Sequence, residues 1–265
     1  MLGAIIGDVV GSVYEFSSDK TKQFPLFTCG CGPTDDSLMT IAVGCACTTS
    51  DINNEDEFKH NLRNLMREIG RQYPEIGYGG DFYRWLMSDT TLSYGSFGNG
   101  SAMRVSPVAY ACDTLEDTER LAKWSAEITH DHPEGIRGAE AVAAAVFLAR
   151  TGKDKGFIKN YIQSKYYNLD FTLDEIRSAY HFDVTCEGSV PQAIECFIEA
   201  EDFEDAIRNA VSLGGDGDTI AAIAGSIAEA YFGIPDELQE KVFEYMDDTV
   251  KDYYFEYADQ LYLTY

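Results

Sequence analysis

Basic residues are scarce in this 265-residue chain: 20 Lys and Arg stand against 45 Asp and Glu, a formal net charge of −25. A field of that sign repels phosphate backbones and anionic lipid, so it disfavours a nucleic-acid partner and favours cations. A polyanionic ligand is tolerated only where metal ions or backbone N–H groups reverse the sign locally. Long apolar runs are also missing. None approaches about 18 uninterrupted residues, so no membrane span is expected. The longest, Ala139 to Ala149, carries Glu140 and reads as a buried helix. Met1 to Val10 has no basic residue before its apolar run, and Asp8 interrupts it, so no targeting segment is expected there. There is no Pro/Ser-rich linker, no repeat, no low-complexity tract and no clear set of alternating strands. With seven cysteines, an odd number, and no secretion signal, the expected compartment is a reducing cytoplasm. Cys29, Cys31, Cys45 and Cys47 form a C-x-C…C-x-C array. Structural zinc prefers C-x2-C, and Cys45 and Cys47 extend an apolar run, so core packing and loop thiols are favoured over a zinc site.

What is present is helix periodicity. Glu55 to Arg71 puts Phe58, Leu62, Leu65, Met66 and Ile69 on one face. Thr114-x-x-Asp117, Thr172-x-x-Glu175 and Asp202-x-x-Asp205 each announce a helix start, the last opening Phe203 to Leu213. Pro235 suits a first turn before Glu237 to Met246. Tyr254, Ala258, Leu261, Tyr262 and Tyr265 form a stripe that suits core packing better than a ligand platform. At about 150 residues per domain the length allows one large domain or two small ones. Without a linker, the expectation is one all-α domain over residues 1–265, of roughly a dozen helices.

Three constellations carry chemistry. Pro33-Thr34-Asp35-Asp36-Ser37 places a hydroxyl and two carboxylates at a helix start, which alone reads as ordinary capping. Gly214-Gly215-Asp216-Gly217-Asp218-Thr219 repeats the arrangement ahead of a second apolar helix, and its glycines let two alternate acids converge. Oxygen ligands without His or Cys select Mg²⁺, Mn²⁺ or Ca²⁺ over zinc. An EF-hand is disfavoured because Ile227 occupies the position of its final glutamate. In the third, Gly3, Gly7 and Gly11 recur every four residues, which allows close packing against another helix, and Glu15 ends the run where an acid is costly without a role.

Gly7-Asp8-x-x-Gly11-Ser12-x-x-Glu15, Thr34-Asp35-Asp36-Ser37, Gly95-Ser96-Phe97-Gly98-Asn99-Gly100-Ser101-Ala102-Met103-Arg104, Thr129-His130-x-His132-Pro133 and Gly215-Asp216-x-Asp218-Thr219, in this order, resemble the ADP-ribosylglycohydrolase family. The resemblance implies a compact, orthogonal multi-helix single domain with a dinuclear metal cleft holding two divalent ions, Mg²⁺ or Mn²⁺. By motif position Thr34, Asp35 and Asp36 hold one side, and Asp216, Asp218 and Thr219 the other, with Asp218 as bridge. Ser37 stands where many members have threonine. Glu15 matches the acid implicated in catalysis, with a ligand aspartate such as Asp36 as the other candidate for proton transfer.

The loop of Gly95, Ser96, Phe97, Gly98 and Asn99 suits a diphosphate through its N–H groups, Phe97 suits adenine, and His130 becomes a ligand-side residue; a tight helix connection is the plain alternative. Arg104 is expected to neutralise a buried acid. Gly77 to Asp81 is a further candidate contact. The segment from Phe16 to Gly32, with Lys20 and Lys22, reads as a movable cover or a solvated loop. The implied reaction is hydrolysis of the glycosidic bond between ADP-ribose and an acceptor, an ADP-ribosylated protein or small molecule, releasing ADP-ribose. The acidic balance leans toward arginine as acceptor. A non-catalytic ADP-ribose-binding or toxin-blocking immunity-type protein is the rival from another class, and a hydrolase of another nucleotide or sugar adduct is a third reading.

Overall fold

The computed structural model describes residues 1–15, 20–256 and 258–262, with the backbone alone for Ala258 and Asp259. Its helices are α1 (Leu2–Gly11), α2 (Asp35–Thr49), α3 (Glu55–Gly70), α4 (Gly80–Met87), α5 (Gly100–Met103), α6 (Val108–Ala111), α7 (Leu115–Glu127) and α8 (Pro133–Arg150). There follow α9 (Lys155–Lys165), α10 (Leu173–Arg177), α11 (Cys186–Glu199), α12 (Phe203–Leu213), α13 (Gly217–Phe232), α14 (Asp236–Val242) and α15 (Asp248–Glu256), with 3-10 turns at Phe243–Tyr245 and Ala258–Tyr262. Among the described residues the only extended pairing outside helices is an isolated antiparallel bridge between Gly98 and Thr185. The fold is all-α.

Local chemistry sets most boundaries. Thr114 accepts from Asp117 N at 3.1 Å and opens α7, Asp202 accepts from Asp205 N at 2.8 Å and opens α12, and Thr172 with Glu175 forms a full capping box at α10. On α3, Phe58, Leu62, Met66 and Ile69 are buried and Leu65 is half-buried. Pro235 directly precedes α14, which gives way to the 3-10 turn at Phe243 instead of running on to Met246. Of the carboxy-terminal stripe, Tyr254 and Leu261 are buried; Tyr265 and the Ala258 side chain lie outside the described residues.

The centre of the molecule is the pair α1 and α13. Every residue of α1 is buried, and α13 is buried from Gly217 to Ala228. A Cβ on Gly3 would stand 2.3 Å from the Gly225 carbonyl oxygen, one on Gly7 2.1 Å from that of Ala221, and one on Gly11 2.5 Å from Asp218 Cα. Backbone lies directly on backbone along the whole stripe. Around this pair α8, α11 and α12 pack on α13, while α2 packs on α1 and α3.

All seven cysteines are free thiols, with Cys45 and Cys47 inside buried α2, Cys29 exposed and Cys31 half-buried. The stretch 20–32 is anchored: Lys20 Nζ donates to the carbonyls of Arg177 (2.6 Å) and Tyr180 (2.5 Å), and Arg208 donates to those of Lys22 (2.9 Å) and Phe24 (2.7 Å). Lys20 to Phe24 of the expected cover are thus held against α10, the turn after it and α12, while Phe27 stacks on Tyr245; residues 16–19 lie outside the described residues.

The helix contact makes a direct prediction. Gly7→Ala should cost about 1–3 kcal/mol or more, because backbone must separate to admit the methyl group. Gly32→Ala, where a Cβ meets nothing within 4 Å, should stay within about 0.5 kcal/mol of the parent. Urea unfolding of the two variants compares them; equal costs would mean that close approach does not constrain α1.

Candidate functional site

The close approach of α1 to α13 carries Asp8 into the interior, where it is fully buried. Its carboxylate accepts from Thr34 N (2.8 Å), Thr34 Oγ1 (2.7 Å), Ser37 N (3.0 Å) and Ser37 Oγ. Asp8 therefore holds the first turn of α2 and fixes the direction of Thr34 and of the acids after it. Thr34 Oγ1 accepts from Asp36 N at 3.3 Å, the ordinary cap expected of it.

From the other end of the chain, the turn at Gly214 and Gly215, both with positive φ (74° and 80°), delivers Asp216 and Asp218 to the same place. Thr219 Oγ1 donates to Asp36 Oδ2 at 3.2 Å, joining the starts of α13 and α2. Carboxylate oxygens of Asp8, Asp36 and Asp218 lie within 4.8 Å of one another, and so do those of Glu15, Asp216 and Asp218. Asp218 belongs to both groups. Neither includes a cysteine.

Burial and mutual repulsion act on all of these acids. Desolvation first, then the charge of Asp218, pushes Asp8 up to about 7. Glu15, half-buried, rises to about 7 for the same reasons with Asp8 adding to them. Asp35 is raised to about 7 and Asp216 to about 8, and Asp36 and Asp218 are raised too, desolvation leading in each case. No ion pair among the described residues reaches any of the six. Asp36 Oδ1 is buried without a hydrogen-bond partner. A buried carboxyl oxygen left without a partner among other acids is the condition that a hard cation relieves, so the donor set fits divalent metal.

Glu15, Thr34, Asp35, Asp36, Asp216, Asp218 and Thr219 share the wall of one cleft of about 500 Å³, within the ordinary range for a small-molecule site. Ser96, Gly98, Asn99 and His130 line it as well, as do Gly77 and Gly79 to Asp81. Gly95 and Phe97 do not; Phe97 is 51% exposed and its ring meets His132 edge-on at 5.6 Å. Several N–H groups of this loop have internal acceptors: Ser96 N donates to Thr129 O (3.3 Å), Gly98 N to Ser96 Oγ (3.1 Å) and Asn99 N to Val184 O (2.8 Å). Asn99 Nδ2 donates to Asp216 Oδ2 at 2.6 Å, tying the loop to the acid cluster. His132 caps α8, its Nδ1 accepting from Glu134 N at 3.1 Å.

Arg104 lines the cleft and lies within the field of Asp35. It is buried, yet its guanidinium donates to Ser125 O (3.3 Å) and Thr129 Oγ1 (2.9 Å), not to a carboxylate. Sequence reasoning also passed over Asp8 as an organiser, although its interruption of an apolar helix was the available signal. Ile76, Phe82, Tyr94, Phe182 and Val184 give the cleft an apolar wall. They come from α4 and from loops with no periodicity, so no sequence signal marks them.

Residues 1–265 match the sequence model of the ADP-ribosylglycohydrolase family. The chain is 31% identical over 309 residues to the ADP-ribosylhydrolase ARH3 of Danio rerio, covering 88% of this chain and 82% of that one. It is 26% identical over 336 residues to the Homo sapiens ADP-ribosylhydrolase ARH3, covering 94% and 90%. It is 26% identical over 261 residues to the ADP-ribosyl-(dinitrogen reductase) glycohydrolase of Rhodospirillum rubrum, covering 89% and 85%. A solved ADP-ribosylglycohydrolase-related protein complex has the same fold, with a TM-score of 0.66 at 21% identity over 92% of this chain and 93% of that one.

The raised carboxyls make stability depend on pH in a stated direction. The folded chain keeps protons on them that the unfolded chain has already lost near pH 4, so their contribution is fullest below that value. It is lost as pH rises through about 7 to 8. Metal-free protein should therefore melt lower at about pH 8 than at about pH 5, and Mg²⁺ should raise Tm more at the higher pH, where its ligands are deprotonated. Calorimetric melts with EDTA or Mg²⁺ check this; an Mg²⁺ effect that is equal at both values, or absent, contradicts it.

Proposed function

From the premise that the chain belongs to the ADP-ribosylglycohydrolase family, an enzyme family of glycosyl-bond hydrolases, we propose that it frees ADP-ribose from an ADP-ribosylated acceptor in a reaction that depends on two divalent cations. The observation that carries the metal reading is Asp218, whose carboxylate belongs to both oxygen groups, beside the orphaned oxygen of Asp36. Thr34, Asp35 and Asp36 are assigned to one side of the pair and Asp216, Asp218 and Thr219 to the other, with Mg²⁺ or Mn²⁺ as the ions. A divalent cation held there supplies Lewis acidity toward the ribose oxygens and water.

The remaining work belongs to side chains. Glu15 stands in the cleft with its carboxyl pushed up to about 7, a value suited to giving and taking a proton near neutral pH. Asp36, whose Oδ1 has no partner, is the second candidate for that task. Ser96, Gly98, Asn99 and His130 are assigned to the ADP-ribose unit, with Gly95 and Phe97 completing the loop that carries them. Asn99, through Asp216, links that subsite to the acids. An acid-lined cleft favours a cationic leaving group, so arginine on a protein is the preferred acceptor. A reducing cytoplasm suits seven free thiols.

Three measurements test this reading. Asp36→Asn or Asp218→Asn should abolish hydrolysis with the helical circular dichroism retained, since a first-turn position accepts Asn nearly as well as Asp while a hard cation loses a charged ligand. Full activity in either variant would remove the dinuclear assignment. EDTA should stop turnover of an ADP-ribosylated protein, and Mg²⁺ or Mn²⁺ should restore it where Zn²⁺ does not. Rescue by zinc alone would contradict an all-oxygen site, and binding of ADP-ribose without turnover under any metal would favour the non-catalytic reading. Glu15→Gln should lower kcat about a hundredfold or more while ADP-ribose affinity changes little. Equal losses in rate and in calorimetric affinity would make Glu15 a ligand and not a proton carrier.

A further inference from the structure

Beside the cleft wall formed by Ser96, Gly98 and Asn99 lies a polar chain of which the reaction as described uses only His130; Arg104 and His130 both line the cleft. Arg104 follows α5, and Thr129 and His130 close the turn after α7. All three are buried. The Arg104 guanidinium donates to Thr129 Oγ1 at 2.9 Å, and Thr129 Oγ1 is 2.7 Å from His130 Nδ1.

The direction of the second bond follows from the first. A guanidinium has donors only, so the Thr129 oxygen accepts from Arg104 and its own proton needs an acceptor. Among the described contacts of that hydroxyl, His130 Nδ1 is the one available. Were Nδ1–H to donate instead, the hydroxyl would receive two protons and hold a third with nowhere to place it, in a site without water contact. Nδ1 is therefore the acceptor, and in a neutral ring the proton belongs to Nε2. Burial, with the Arg104 charge, holds His130 well below its ordinary pKa, so the ring is neutral.

Nε2 faces the loop that lines the cleft. A Cβ built on Gly98 would lie 3.7 Å from it and one on Gly100 3.2 Å. Nε2 has no hydrogen-bond partner among the described residues, and it is not among the fully enclosed atoms. The outer end of the chain thus presents an N–H to the cleft wall, with glycines on the near side where any side chain would crowd it.

We propose that Arg104 and Thr129 are positioning residues that lock His130 as a neutral Nε2–H donor to a phosphoryl oxygen of the bound ADP-ribose unit, an inference that rests on the functional reading above. The lock has a reason in this molecule. A ring free to exchange tautomers would for part of the time present a lone pair to an anionic oxygen, repelling what it should hold. Arg104, which lines the cleft but turns its bonded nitrogen to Ser125 and Thr129, acts on the ligand through a hydroxyl and an imidazole.

The test reads the tautomer directly. In protein labelled with ¹⁵N-histidine, with His130 assigned by loss of its signals in His130→Gln, long-range ¹H–¹⁵N correlation should give an unprotonated Nδ1 and a protonated Nε2. Thr129→Val should change that pattern toward a tautomer mixture and weaken ADP-ribose binding by calorimetry roughly three- to tenfold, the worth of one hydrogen bond. Thr129→Ser, which keeps the hydroxyl, should restore both and guards against a folding defect in the valine variant. A protonated Nδ1 in the parent protein, or a valine variant with unchanged tautomer, would overturn the lock. A changed tautomer with unchanged affinity would overturn the ligand role. If the parent protein fails to bind ADP-ribose at all, the functional reading falls, and the ligand role with it, while the ¹⁵N spectrum still decides the lock.

Discussion

Contact of backbone on backbone between α1 and α13 is the constraint from which the site follows. Three glycines four residues apart remove the side chains that would hold two helices at ordinary spacing, and Gly7 lies against the Ala221 carbonyl. At that distance Asp8 and Asp218, each near a helix start or centre, share one interior volume with Asp36. Asp8 then takes hold of Thr34 and Ser37 and so orients α2. A larger residue at any of the three glycines would move one wall of the acid cluster relative to the other. Packing and ligand geometry are here the same variable.

That arrangement works against stability. Six carboxyls sit together without an ion-pair partner among the described residues, and burial with mutual repulsion pushes several of them up to about 7 or 8. Such strain is retained at functional sites when the surrounding structure over-determines it, and here the surrounding structure is a helix pair buried along most of its length. The overall charge of −25 compounds the cost and also draws cations toward the cleft. The opposite wall of the cleft, proposed for the nucleotide, offers neutral donors, small residues and a buried cation, Arg104, that among the described residues has no ion pair with a carboxylate.

Much of the architecture was legible in the residues. Thr114, Thr172 and Asp202 marked helix starts because capping is local chemistry, and α12 runs from Phe203 to Leu213 as its pattern dictates. Gly3, Gly7 and Gly11 announced close packing, but nothing local names α13 as the partner. The acids of both motifs were legible by type and by motif, whereas their meeting depends on tertiary contact. Asp8 was read as an interruption, since its four donors come from a segment over twenty positions away. Arg104 was assigned to an acid on charge alone, and its actual acceptors are a carbonyl and a hydroxyl that no spacing rule points to. Phe97 was read as suited to adenine; its loop pairs with residues 184–186 and its ring stands exposed, a placement no spacing rule gives.

The burial of α1 on every side has a consequence for how the molecule is made. A helix without a polar face gains nothing from forming alone in water. Its partner arrives late: Gly3 N bonds to Glu229, 226 positions along the chain. During synthesis α1 must wait without its main partner until α13 has emerged, which is the interval in which nascent chains aggregate or recruit chaperones. Docking of α13 on α1 then completes the acid cluster and the core between them together, so a chain that stops short of α13 has neither.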